Sequence, residues 1–339
     1  MKYYSNEIVF RGHPDKVCDQ ISDALLDAYL KDDKLSRCGI EVMGGKNKLF
    51  ITGEVTSTSN VEVEKVAKRV LKDIGYDDSI EIINNLGIQS SDIALGTNEE
   101  ILGAGDNGMM FGYATNETKE YLPVPVVILQ KLSRSYDELR KKDKRFLPDG
   151  KAQITGIYKN GNIIGIKYFT ICYQNTEKER DLTDKIIIDI CENIIKEYNL
   201  KVEKYLINPT GRFLIGGFLG DAGLTGRKIV VDSYQSFCEV GGGAFSGKDP
   251  SKVDRSGAYK ARQLAKRYLI ENNKEFVKVI LSYAIGLEEP LSITLITEKG
   301  EEEVPQEWYE ECKPRNIIND LDLRNIKYEE LAKFGHFTN

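Results

Sequence analysis

Apolar positions recur along the chain at helical spacing in several separate stretches. Ile21, Leu25 and Ala28, which come after Asp15, predict a helix over about residues 16–30. The same kind of pattern predicts further helices at 63–74, 126–141, 183–198 and 256–270. These helices alternate with extended segments along the whole chain.

The extended segments include one clear hairpin signal. Alternation of apolar and polar residues predicts a strand at 48–55, and a second strand is predicted at 275–283. Residues 158–173 contain Asn160-Gly161 between two runs of β-forming residues, a pattern typical of a β-hairpin. The mixture of hairpins and separate helices favours an α+β fold over a doubly wound parallel sheet.

Composition and charge narrow the class of protein. A chain of 339 residues with 41% hydrophobic and 29% charged residues is long enough for two or three folded domains, and it is not disordered. The net charge of −6 argues against binding nucleic acid or an anionic membrane through bulk charge. The longest uncharged apolar stretch, 124–129, is too short to span a membrane, and the N-terminus lacks a signal-peptide core. A soluble, cytoplasmic protein is expected.

The cysteines carry no metal or redox motif. The chain has six cysteines, and no two of them form a CxxC pair. This spacing excludes a zinc knuckle and a dithiol redox site. Free buried thiols in a reducing compartment are expected instead.

One region differs from the rest of the chain in composition. Residues 208–260 contain 11 of the 30 glycines, and they carry seven Lys or Arg against five Asp or Glu. Glycine allows backbone amides to approach an anion closely, and the cations supply charge. This region is therefore a candidate phosphate site.

Two short segments match nucleotide-binding patterns only in part. GAGDNG at 103–108 fits GxGxxG, but a polar, irregular segment precedes it where a dinucleotide fold needs a buried strand. GGAFSGKD at 242–249 fits GxxxxGK, but Asp249 stands where a P-loop needs Ser or Thr. A glycine-rich loop that presents Lys248 to a phosphate in another geometry is expected. GDNG at 105–108 also resembles GDAG at 220–223 weakly.

GHPDK at 12–16 groups a histidine, an acid and a lysine at the start of the first predicted helix. A helix N-terminus favours anions, but Asp15 is equally well explained as the helix cap. His13 is one of two histidines, with His336, and is either a packing residue or a catalyst. Taken singly, these residues do not establish a function.

Taken together, five long segments resemble the S-adenosylmethionine synthetases, in the order of that family. They are GHPDKVCDQISDALLD, GAGDNGMMFGYATNET, NPTGRFLIGG, GDAGLTGRKIVVDSY and GGGAFSGKDPSKVDRSGAY. The resemblance extends from residue 7 to residue 337. It implies three two-layer α/β domains related by approximate threefold symmetry. Approximate segments are 1–95, 96–217 and 218–339, with the spatial domains interleaved along the chain.

The resemblance also implies the reaction and its site. Members of the family join ATP to L-methionine and hydrolyse the released triphosphate. They use Mg²⁺, with two ions expected per site, and K⁺. ATP binding is implied for His13, Asp149, Lys151, Arg212, Phe213, Asp221, Arg227, Lys228, Ala244 and Lys248, of which His13, Lys151, Arg227 and Lys248 are the expected catalytic residues. Methionine binding is implied for Glu54, Gln89, Asp106, Asp221 and Lys252. Metal binding is implied for Asp15 and Asp254 (Mg²⁺) and for Glu41 (K⁺).

The resemblance further implies a homodimer with sites at the subunit interface, or a homotetramer, and a loop at 87–97 that covers the site. The chain departs from the family at Phe10-Arg11, where Ser-Glu is usual, and at 235–240, where a glycine-rich passage is usual. The alternatives are an ATP-dependent phosphotransferase that uses 242–249 as its phosphate loop, and an inactive homologue. The matched chemical positions are unchanged, which argues against an inactive homologue.

Overall fold

The structure is a computed structural model, and it describes residues 1–77, 79–89 and 102–337. Its main helices are α1 (Pro14–Asp32), α2 (Val63–Ile74), α3 (Val124–Lys142), α4 (Arg180–Lys196), α5 (Gly217–Gly220), α6 (Val253–Glu271), α7 (Glu307–Glu311), α8 (Pro314–Asp320) and α9 (Tyr328–Phe334). Its strands are β1 (Lys2–Val9), β2 (Arg37–Gly45), β3 (Lys48–Thr56), β4 (Glu81–Gly87), β5 (Gly108–Thr115), β6 (Phe146–Lys159), β7 (Asn162–Asn175), β8 (Val202–Ile207), β9 (Gly223–Leu224), β10 (Phe276–Tyr283), β11 (Ser292–Thr297) and β12 (Gly300–Glu302). Residues 90–97 of the expected covering loop lie outside the described residues.

The strands form three four-stranded sheets, each with its own hydrophobic core. Their strand orders are β9-β2-β3-β4, β1-β6-β7-β8 and β5-β10-β11-β12. Helices α1 and α2 pack on the first sheet, α3 and α4 on the second, and α6 on the third. Each pairing of a sheet with its helices buries one apolar layer, as the α+β prediction requires, and that prediction is confirmed.

The three sheets exchange strands in a cycle. The chain contains a repeated unit of one strand, one helix and one hairpin: β1-α1-β2-β3, then β5-α3-β6-β7, then β9-α6-β10-β11. The first strand of each unit pairs antiparallel with a hairpin strand of the next unit, so β1 joins β6, β5 joins β10, and β9 joins β2. Every sheet therefore contains strands from two units.

The predicted helices and the predicted hairpin are confirmed, with ends that differ by a few residues. Asn160-Gly161 forms the turn between β6 and β7, where Lys159 pairs with Asn162. Both residues of this turn have positive φ, at 52° and 84°, which explains the Asn-Gly choice. Among the described residues, none of the helices combines the length and apolar character that a membrane span requires.

The two residues Phe10 and Arg11, where the family usually has Ser-Glu, are both buried, and Phe10 belongs to the core of the second sheet. The ring of Phe10 stacks on Tyr136 with centroids 4.2 Å apart. The buried guanidinium of Arg11 donates to Gln20 at 2.8 Å and to Asp73 at 2.6 Å. These contacts give both departures a packing role just before the first candidate site residue.

Candidate active site

The start of α1 carries a cluster of charged side chains, which we call the Asp15 cluster (His13, Asp15, Arg227 and Lys228). Asp15 Oδ2 accepts from Lys228 Nζ at 2.5 Å, and Asp15 Oδ1 lies 3.2 Å from Arg227 Nε. The backbone N–H of Leu224 also donates to Asp15 Oδ1, at 3.0 Å. The 224–228 segment is thereby docked on the first turn of α1.

His13, not Asp15, caps α1, which corrects the capping interpretation of Asp15. The Nδ1 atom of His13 accepts from the backbone N–H of Asp15 at 3.2 Å. Pro14 follows at the first helical position, where its missing N–H costs nothing. The cap leaves the carboxylate of Asp15 available for the cations of the 224–228 segment.

Burial lowers the pKa of His13 to about 4, and Lys228 adds to this effect, while Asp15 opposes it. The imidazole is therefore neutral near pH 7. Because Nδ1 is an acceptor, the ring proton lies on Nε2. His13 thus offers a neutral N–H donor beside two cations.

We expect neither histidine to titrate near the ordinary value of about 6.5. Burial also lowers the pKa of His336, the second of the two histidines, well below that value. As the pH falls from about 6.5 towards about 4, the unfolded chain takes up protons before the folded one, so the free energy of unfolding falls. Proton NMR of the imidazole signals checks this, with the denatured chain as control. A midpoint at or above 6.5 for His13 in the folded protein would contradict the assignment.

Three further candidate residues surround the Asp15 cluster. Lys151 and Asp221 both influence the pKa of His13, the lysine lowering it and the aspartate raising it. Lys151 is half-exposed on β6, with Nζ 3.6 Å from a carboxylate oxygen of Glu7. Asp149 is buried and accepts from the backbone N–H of Gly217 at 2.8 Å. Burial raises the pKa of Asp149 to about 6.

A second group of candidates lines a cavity of about 330 Å³, which we call the acidic pocket. Its walls come from β2, β3, the loop before β5 and the loop before α6. The candidate residues in its lining are Glu41, Glu54, Asp106, Ala244, Lys248, Lys252 and Asp254. Glu41 lies on β2 and Glu54 on β3, two strands that pair directly with one another.

The two lysines of the pocket are held by carboxylates. Lys248 Nζ pairs with Asp254, and Lys252 Nζ donates to Asp249 Oδ2 at 2.7 Å. Asp249, which rules out a P-loop, also accepts from the backbone N–H of Cys38 at 2.7 Å and so anchors the loop to β2. Gly247 has a φ of 83°, and any side chain there would collide with the backbone of β2.

The structure brings most candidates into these two groups, and a few lie apart. Gln89 follows β4 and does not line the acidic pocket. Arg212 is exposed and has Nε 3.2 Å from Glu177. Phe213 is partly buried, and its carbonyl accepts from Asn175 N–H at 3.0 Å. The next few residues lead to Gly217, which is bonded to Asp149.

Sequence reasoning missed a contact made by the unusual 235–240 segment. Gln235 adopts a φ of 57°, uncommon for a residue with a side chain. Its Oε1 atom accepts from the backbone N–H of Glu7 at 2.6 Å. Glu7 is the residue whose carboxylate faces Lys151. Gln235 therefore fixes the backbone of Glu7, next to Lys151. The sequence signal for this contact was the presence of 235–240 where the family usually has a glycine-rich passage.

The carboxylates fit a metal ion only with help from a substrate. Among the described residues, no three His, Cys, Asp or Glu side chains are grouped as a complete metal site. Asp15 and Asp254 each lie against cations. Mg²⁺ is commonly bound by one or two carboxylates, with substrate phosphates and water completing its shell. The donor set is therefore suited to a metal ion that arrives with a phosphate chain.

Known proteins are similar to this chain over nearly its whole length. Three stretches match the S-adenosylmethionine synthetase N-terminal domain (residues 1–94), central domain (101–213) and C-terminal domain (215–339). An S-adenosylmethionine synthase of Finegoldia magna is 42% identical over 99% of this chain and 93% of its own length. Similar enzymes of Clostridium tetani and Mycoplasmopsis synoviae are 40% and 41% identical, over 99% of this chain and 94% and 92% of their own lengths.

Proposed function

Because the chain belongs to the S-adenosylmethionine synthetase family, we propose that the Asp15 cluster and the acidic pocket are the two halves of its active site. The protein is a methionine adenosyltransferase, which makes S-adenosylmethionine from ATP and L-methionine. The methionine sulfur attacks C5′ of ATP and the triphosphate leaves. The triphosphate is then hydrolysed to pyrophosphate and phosphate.

The observation that carries the site assignment is the convergence of Arg227 and Lys228 on Asp15 beside His13. A neutral thioether is a modest nucleophile, so the rate depends on positioning and on stabilising the leaving triphosphate. Two cations and a neutral N–H donor supply that stabilisation. Lys151 extends the positive surface on the neighbouring strand.

The acidic pocket suits the amino-acid substrate. Glu54 and Asp106 offer carboxylates to the ammonium group of methionine, and Lys252 offers a cation to its carboxylate. Gln89 and Asp221 complete the proposed methionine contacts. The remaining ATP positions line the nucleotide: Asp149, Arg212, Phe213, Ala244 and Lys248.

The metal ions are part of the proposal. Asp15 and Asp254 are the proposed ligands of two Mg²⁺ ions per site, and Glu41 is the proposed K⁺ ligand. When bound, the ions neutralise charge on the triphosphate and help to fix its shape. Asp15 has a second proposed role besides binding Mg²⁺. Its ion pairs with Arg227 and Lys228 hold both cations at the position proposed for the triphosphate.

The two halves belong, we propose, to different copies of the chain in a homodimer, or in a homotetramer built from two such dimers. The outer face of the β4-β3-β2 sheet carries Met43, Phe50 and Ile83 in one row across the strands. Met43 is 53% exposed and Ile83 is 36% exposed. Glu41 and Glu54 lie on the same face, so a second copy packed there would close the acidic pocket. An interface above about 2,000 Å² is expected for such an obligate dimer.

Mixing two inactive variants tests the shared site. We expect Glu54→Ala and His13→Ala proteins to be inactive alone and to regain about one quarter of wild-type activity when their subunits exchange in equal amounts. Half of the dimers are then mixed, and each mixed dimer has one intact site. Activity is followed as S-adenosylmethionine formation after exchange. A mixture of Lys151→Ala and His13→Ala, both in one half, is the matched control and should stay inactive. Equal recovery in the control would contradict the assignment of halves.

Product identification tests the reaction and its alternatives. The protein is incubated with ATP, methionine, Mg²⁺ and K⁺. These are the substrates and ions that we propose it uses, in the cytoplasm. S-adenosylmethionine with pyrophosphate and phosphate supports the proposal. ADP would favour the phosphotransferase, and nucleotide binding without any product would favour an inactive homologue.

A further inference from the structure

Four aspartates form a stripe along α1, which we call the aspartate stripe (Asp15, Asp19, Asp23 and Asp27). They are spaced four residues apart, so they lie on one side of the helix. Buried carboxylates are rare unless they are paired, yet the first three are almost fully buried. Asp15 belongs to the site already described, and the other three are not among its candidate residues.

Asp19 holds the loop that carries Arg227 and Lys228. It is 2% exposed, and its Oδ1 atom accepts from the backbone N–H of Gly226 at 2.9 Å. Gly226 immediately precedes the two cations. Lys16 balances the charge of Asp19 from 3.7 Å, and it also pairs with Asp232 at 2.5 Å. The carboxylate of Asp19 thus accepts a hydrogen bond from the backbone of this loop and makes no hydrogen bond to the side chains of Arg227 or Lys228 among the described contacts.

Asp23 makes the equivalent contact to the loop that carries Lys248. It pairs through both oxygens with Arg255, at 2.8 and 2.6 Å, and both side chains are fully buried. Its Oδ1 atom also accepts from the backbone N–H of Gly247 at 2.9 Å. Arg255 in turn donates to the backbone carbonyl of Lys248 at 3.0 Å. The residues on both sides of the Gly247–Lys248 peptide bond are therefore held by this ion pair.

We propose that Asp19 and Asp23 are positioning residues and that each fixes the backbone of one cation-bearing loop. Asp19 holds the Arg227–Lys228 loop of the Asp15 cluster, and Asp23, with Arg255, holds the Lys248 loop of the acidic pocket. One helical turn, a rise of about 6 Å, separates the two attachment points. Carboxylates already pair with these cations, and the direction of each cation depends on the backbone that carries it. A rigid loop therefore keeps the cations of each half of the site in place before the substrate arrives. This inference rests on the proposed function, since it assumes that the two loops bind substrate.

Asp27 provides a matched control on the same helix face. Its two carboxylate oxygens accept from the backbone N–H groups of Tyr328 and Glu329, at 2.9 and 3.0 Å. These residues begin α9, which lies far along the chain from both site loops. Replacing Asp27 removes backbone hydrogen bonds of the same kind without touching a cation-bearing loop.

The experiment compares Asp19→Ala, Asp23→Asn and Asp27→Ala at a temperature well below the melting temperature of each. We expect Asp19→Ala and Asp23→Asn to lower kcat by about tenfold to 100-fold. We expect both to weaken binding of tripolyphosphate, measured by calorimetry, by a similar factor. Asp27→Ala should lower the melting temperature but leave kcat and tripolyphosphate binding within about twofold of wild type.

Several results would overturn the inference or separate it from the proposed function. If Asp19→Ala behaves like Asp27→Ala, the carboxylate is only structural. The double variant Asp19→Ala/Lys228→Ala is compared with both single variants. If its loss of kcat equals the product of the two separate losses, Asp19 does not act through Lys228. If Lys228→Ala and Lys248→Ala both leave kcat normal, the proposed function fails and the stripe is not at issue. Asp23→Asn could fail to fold because buried Arg255 loses its charged partner. In that case Asp19→Ala alone tests the inference, because Lys16 still pairs with Asp232 in that variant.

Discussion

Replacement of His13 by alanine should slow the formation of S-adenosylmethionine by about 10²–10³-fold and leave ATP binding nearly unchanged. The imidazole is neutral, with its proton on Nε2, and it lies beside Arg227 and Lys228 through their shared partner Asp15. A donor in this position strengthens its hydrogen bond as negative charge grows on the departing oxygen. The loss should therefore appear in kcat and only weakly in the KM for ATP.

His13→Asn separates the catalytic role of His13 from its role as a helix cap. Asparagine is a good N-cap and keeps an N–H donor, so this variant should fold as stably as wild type and retain a higher rate than His13→Ala. Single-turnover rates and melting temperatures of both variants are the measurements. A correctly folded His13→Ala enzyme with a near-normal rate would return His13 to a purely structural role.

Replacement of Arg227 by alanine should impair tripolyphosphate hydrolysis by about 10²-fold, more than it impairs S-adenosylmethionine formation. Arg227 is 50% exposed and contacts Asp15 through Nε, so its terminal nitrogens are accessible to a ligand. A guanidinium can bind two oxygens of one phosphate as a fork, and it can therefore orient the chain for attack at one phosphorus. The released triphosphate would otherwise stay bound to the same cations and block turnover.

Arg227→Lys is the matched variant, because it keeps the charge but loses the fork. It should restore S-adenosylmethionine formation better than it restores hydrolysis. The test supplies tripolyphosphate alone, and then with S-adenosylmethionine, and follows release of pyrophosphate and phosphate. Equal losses in both steps for Arg227→Ala would show that its charge alone matters. A wild-type enzyme that leaves tripolyphosphate whole would contradict the two-step mechanism.

Local features of the fold could be predicted because they depend on neighbours in sequence. The period of apolar residues located α1 and α2, and the Asn160-Gly161 pair located the β6–β7 turn, since backbone propensity and one buried face decide these elements. The weak likeness of GDNG and GDAG also has a structural origin. Both segments lead into the first strand of a repeated unit, and Asp106 and Asp221 each accept from the next backbone N–H, at 2.7 and 2.8 Å.

The sequence by itself determined the class of elements and, through five long motifs, the family and its candidate residues. It did not reveal that Asp19 and Asp23 are buried and bonded to two loops of the proposed site, because a polar stripe on a helix ordinarily faces water. Only the tertiary structure decided which strands leave their own unit and which candidates meet. His13 and Arg227 are more than 200 positions apart in the chain, and they become neighbours because β9 pairs with β2 and draws the 224–228 segment onto α1. Pairing between distant strands is set by the packing of whole layers, which no local pattern contains.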